Sequence, residues 1–136
     1  MKVWLLPAFL AFVLWGIWGF IPKLTTQYIS PTSAIIFEVV GGMIVGILVL
    51  FLVGFKPEIH SKGIGLAVST GILGLLGALC YLIAVSKGKV SVVVTVTALY
   101  PIVSIGLAYV ILKEPISLKE GLGIILAFIA IILFSV

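Results

Sequence analysis

Arginine and aspartate are absent from this sequence, cysteine and histidine occur once each, and glutamate occurs four times. Each shortage removes a class of function. Without aspartate there is no Ser-His-Asp set. A single cysteine, Cys80, permits neither an intrachain disulfide nor a cysteine-based metal cluster. Glycine-rich phosphate loops and metal-ligand spacings are missing as well, so no cofactor, no metal and no enzymatic chemistry are expected. Charged residues make up only 9% of the 136, against 63% hydrophobic, with a mean hydropathy of +1.48. A soluble domain of this size needs far more charge to cover its surface, so the medium implied is lipid.

What is present is a series of apolar runs bounded by charge. The charges gather at Lys2, Lys23, 56–62, 87–89 and 113–120. Between them lie five stretches of roughly the 20 residues that cross a bilayer as helix: 3–22, 32–54, 63–86, 91–112 and 117–135. The expected architecture is an all-α membrane bundle of five helices in one domain, 1–136. It leaves no length for a soluble catalytic or nucleic-acid-binding domain. The net charge of +4 is carried wholly by lysine, which suits loops beside anionic headgroups and not a nucleic-acid partner. Lys2 before an apolar run resembles a signal peptide. The run is too long, however, and lacks a small-x-small cleavage site, so the first stretch is read as a true span.

Helix ends are marked by ordinary signals. Ser30-Pro31 offers an N-cap with proline at the first helical position. Lys87-Gly88 closes the third helix, and Ser117 with Glu120 has capping-box spacing behind Pro115. The short connections make sequential helices antiparallel. Ala67, Gly71, Gly74 and Ala78 form one small-residue stripe on the third helix, read as a close helix-packing face. Gly42 with Gly46, and Gly123 with Ala127 and Ala130, extend the pattern. Five spans place Lys2, Lys56, Lys62, Lys113 and Lys119 on one side, and Lys23, Lys87 and Lys89 on the other. That bias points to a cytoplasmic N-terminus but is small enough to leave dual insertion open.

One acid, Glu38, interrupts the second apolar run. At 1.5 Å per residue it lies about 10 Å past Pro31, where an ionised carboxylate costs about 2.5–3.5 kcal/mol on insertion scales. Three readings compete: a proton-coupling or cation-binding group lining a cavity, a structural partner of a lysine or hydrogen-bond donor, and a helix-end residue reaching the interface. Lys23, after Pro22, either snorkels to the headgroups or turns inward toward Glu38. Trp15 and Trp18 precede it, and Trp15 is the candidate for stacking on a ligand. In the fourth span Thr97, Pro101, Ser104 and Ala108 share a face. Pro101 has no N–H for the Thr97 carbonyl, which predicts a kinked, inward-facing helix. Tyr81 and Tyr100 add hydroxyls, and His60 is read as a solvated loop residue.

The stretch from Ala98 to Phe134 resembles the second half of an EamA-type domain of the drug/metabolite transporter superfamily. The resemblance rests on Leu99-Tyr100-Pro101, the run Leu112-Lys113-Glu114-Pro115-Ile116-Ser117, and Gly121 or Gly123. Near the start, Leu14-Trp15-Gly16 with Phe20, Lys23 and Pro31 is similar to the family's opening. Glu38 departs from it, because relatives often carry arginine there, and no substrate class is carried over. The resemblance implies alternating-access transport of a small-molecule substrate, commonly by ten helices in two inverted five-helix repeats. One repeat is present here. Expected partners are therefore the lipid bilayer and a second copy, antiparallel or parallel, or a paralogue in a heterodimer; the expected location is a prokaryotic inner (plasma) membrane. The residues assigned to substrate or coupling are Glu38, Lys23, Trp15, Tyr81, Thr97, Tyr100 and Pro101. A non-transporting scaffold subunit and a lipid-linked-sugar flippase subunit are the alternatives.

Overall fold

The computed structural model describes residues 3–135 and is all-α, with no strand among them. Its elements are α1 (Leu5–Thr25), α2 (Pro31–Leu52), α3 (Ser61–Lys87), α4 (Val90–Thr97), α5 (Tyr100–Leu107), a π-helical turn (Ala108–Leu112) and α6 (Leu118–Ser135). Four stretches are long and apolar enough to cross a membrane: α1, α2, α3 and the interrupted segment Val90–Leu112. The last helix, α6, has 18 residues and carries Lys119 and Glu120 in its first turn, with only uncharged residues beyond.

Local chemistry sets the helix ends. Ser30 is extended (φ −65°, ψ 153°), its hydroxyl accepts from the Ser33 amide at 3.2 Å, and Pro31 begins α2. A left-handed cap closes α2: Gly54 (φ 62°) donates to the Phe51 carbonyl and Phe55 (φ 59°) to that of Leu50, both at 3.0 Å. This pairing satisfies two end carbonyls and needs a residue that accepts positive φ, which glycine does without a Cβ penalty. The rings of Phe51 and Phe55 meet edge to face at 4.8 Å across the turn. At α6, the Ser117 amide and hydroxyl donate to Glu120 at 2.8 and 2.7 Å, and the Glu120 amide donates back to the Ser117 hydroxyl at 3.3 Å. The capping box read from spacing is therefore formed.

Two boundaries differ from expectation. The first helix runs on past Pro22 to Thr25, because proline near a helix end keeps helical φ and forfeits only its own donor. The fourth span is not one kinked helix. After Thr97 the ladder gives way to i→i+3 bonds, Leu99 to Val96 at 3.2 Å and Ile102 to Leu99 at 3.0 Å, before α5 starts. Pro101 sits in the first turn of α5, where a missing N–H costs least. The chain then widens into the π-helical turn and stops at Lys113, whose φ is 57°, ahead of Pro115.

The chain divides into two compact units, Met1–Lys87 and Gly88–Val136. In the first, α3 packs against both α1 and α2. Its buried residues, Gly19, Pro22, Ala34, Ala78, Tyr81, Leu82 and Val85, come from the end of α1, the start of α2 and the end of α3. Antiparallel order brings these three ends to one level, so the tight packing lies at one end of the unit. Elsewhere large apolar side chains face outward, as a lipid medium permits. In the second unit, α4 packs against α6.

Candidate functional site

The end-on packing of the first unit is held by three specific contacts. The Tyr81 hydroxyl, from α3, donates to the Gly19 carbonyl of α1. The Tyr81 ring lies against that of Trp18, centroids 5.2 Å apart. Lys23 Nζ donates to the Val85 carbonyl at 2.7 Å. Val85 is among the last four residues of α3, whose carbonyls lack intrahelical donors, so Lys23 caps the third helix from the first.

Beyond this packed end α2 and α3 enclose an open groove of about 550 Å³. Trp18, Glu38, Gly41, Gly42, Val45, Gly71, Gly74, Leu75 and Ala78 line it. Glu38 is half-buried and is the one charged residue of the lining. The glycines form its floor. A Cβ built on Gly41, Gly42, Gly71 or Gly74 would meet nothing within 4 Å. The small-residue stripe of α3 was expected to bring helices together. Only Ala78 of that stripe is buried, while Gly71 and Gly74 face the open groove instead. Without side chains there, bare backbone is exposed to whatever enters.

A second groove, about 440 Å³, lies in the second unit between the α5–π-turn segment and α6. Its lining is apolar, Pro101, Ile105, Tyr109 and Ile124 among others, with Glu114 in the loop that joins the two and Glu120 in the first turn of α6. The Glu120 carboxylate is already engaged by Ser117.

The residues singled out from the sequence fall in different places. Glu38 lines the first groove. Tyr81 and Lys23 lie in the packed end beside it and tie α1 to α3; Lys23 turns inward, but toward the Val85 carbonyl and not toward Glu38. Trp15 is 63% exposed and is not among the lining residues, a place taken by Trp18. Thr97 returns its hydroxyl to the Val93 and Val94 carbonyls of its own helix, at 2.9 and 3.0 Å. Pro101 lines the second groove, and Tyr100 is 57% exposed. Trp18 and the glycine floor are the elements that sequence reasoning missed. A signal for Trp18 was present: it sits beside Gly19 and four residues before Pro22, the two buried residues of α1, so it shares the side of α1 that meets α3.

The model of the EamA-like transporter family matches residues 2–136. An uncharacterized protein of Methanocaldococcus jannaschii is 29% identical over 126 residues, covering 91% of this chain and 90% of the relative. No solved structure matches the chain.

Proposed function

The chain belongs to the EamA-like transporter family, and from that membership we propose that it moves a small metabolite or drug-like solute across a prokaryotic plasma membrane by alternating access, as a homodimer. The observation that carries the reading is the groove in which Glu38 is the one charged group, floored by glycine backbone and walled by Trp18. A carboxylate at membrane depth is costly unless it faces water, a partner or a ligand. A groove open to the size of a small solute supplies the first and the third. One five-helix chain amounts to one repeat, and a second copy inserted in the opposite sense would supply the inverted partner. Glu38 would then be contributed twice to a central cavity, as the coupling group.

Proteoliposomes test this. Purified protein, reconstituted with a pH-sensitive dye inside, is challenged with panels of amines, amino acids and sugars under an imposed pH gradient. At least one solute class should drive proton movement in the wild type and none in Glu38→Gln, with insertion and assembly unchanged. Full transport by Glu38→Gln would remove Glu38 from the coupling role.

The exposed glycine faces of α2 and α3 also favour a second reading, a scaffold subunit whose groove receives a helix and whose Glu38 pairs with it. In that case Glu38→Gln weakens the oligomer, and no solute drives proton movement in the wild type.

A further inference from the structure

The groove also carries information about the charge of its occupant. Its lining holds one carboxylate, Glu38, and no lysine. Lys23 is not among the lining residues and donates to the Val85 carbonyl in the packed end, so the one formal charge on the groove wall is negative. The one aromatic wall is Trp18, whose ring meets that of Tyr81 in a tilted contact, the Tyr81 hydroxyl being anchored on Gly19. Indole is the best aromatic partner for a cation, because its face carries negative quadrupole density. A carboxylate and an indole in one apolar groove are thus two independent attractions for positive charge. In a low-dielectric surround each is stronger than in water. The glycine floor adds no side chain within 4 Å of any Cβ position, which leaves room for bulk around the charge.

We propose that this groove is a binding site for organic cations, aromatic or alkylated amines, with Glu38 as the counter-charge and Trp18 as the stacking wall. The proposal rests on the transport reading for its purpose but is separable from it, since binding is measured without movement.

The test is equilibrium dialysis of the purified protein in detergent with three soluble probes that share a phenyl ring: benzyltrimethylammonium, benzyl alcohol and benzenesulfonate. The wild type should hold the ammonium at least tenfold tighter than either of the others. Glu38→Gln should lose that preference. Trp18→Leu should weaken the ammonium about three- to tenfold and leave the alcohol little changed. Gly74→Leu, which fills the floor with Glu38 and Trp18 intact, should abolish binding of the ammonium. Circular dichroism and gel-filtration profiles like the wild type's qualify each variant. Equal affinity for the three probes, retained preference in Glu38→Gln, or normal binding by Gly74→Leu would each overturn the proposal. Selective binding without solute movement in liposomes would instead sink the transport reading and leave this one standing.

Discussion

Lys23 Nζ donates to the Val85 carbonyl at 2.7 Å, joining the last turn of the first helix to the last turn of the third across 62 residues of sequence. A lysine at a membrane helix end commonly snorkels to the headgroups. Here the ammonium meets an orphan helix-end carbonyl, where the negative end of the α3 dipole favours a cation. The same level holds the Tyr81 hydroxyl on Gly19 and the Trp18–Tyr81 ring pair. These contacts fix the wall of the groove without closing it.

Removing the lysine contact should therefore loosen the first unit. A hydrogen bond from a charged donor is worth about 1.5–3 kcal/mol, so Lys23→Ala should lower the thermal unfolding midpoint measured in detergent. Lys23→Arg, which keeps a cationic donor, should recover most of the loss. Equal midpoints for Lys23→Ala and wild type would mean that the contact adds nothing.

Tyr81 can be dissected the same way. Tyr81→Phe keeps the ring against Trp18 and deletes the bond to Gly19, at a cost of about 0.5–1.5 kcal/mol. Tyr81→Ala removes both and leaves a void at a position only 6% exposed, for which aromatic truncations cost about 3–5 kcal/mol. The order wild type, Phe, Ala in unfolding midpoint is the expected outcome, and the binding groove should degrade only with Ala.

Glycine in the floor is expected to be dispensable for folding. Since nothing lies within 4 Å of the Cβ positions of Gly71 and Gly74, alanine at either should be accepted and should stabilise α3 by up to about 1 kcal/mol through helix propensity. A drop in stability on Gly71→Ala or Gly74→Ala, or dissociation of a dimer, would show that another helix occupies the groove.

Pro101 separates α4 from α5. Pro101→Ala restores an N–H for the Thr97 carbonyl and should let the two short helices join, raising helical signal in the far ultraviolet. Transport should slow if the break serves as a hinge. An unchanged spectrum would assign the break to the surrounding packing and not to the proline.

The Ser30 cap gives a fourth measure of local stability. Ser30→Ala removes the acceptor for the Ser33 amide and should cost about 1 kcal/mol, whereas Ser30→Asp should cost little.

Much of this molecule follows from one-dimensional information. Length of apolar run, position of lysine and the caps at Ser30 and Ser117 are local properties, read within a few residues, and they determine the helical class, the membrane medium and where α2 and α6 begin. The lone acid, Glu38, was visible for the same reason: a carboxylate in hydrocarbon is costly wherever the chain folds. Which groups stand around it is another matter. Lys23 could have reached water, Glu38 or a helix end with equal stereochemical ease, and only the parallel placement of α1 and α3, each antiparallel to α2, presented Val85. Trp15 and Trp18 lie three residues apart, a 60° rotation on a helix, so the face that packs on Tyr81 was decided by tertiary contact. The glycines of α3 read from the sequence as a packing seam, but a missing side chain states only that space is needed. The fold decided that the space stays open.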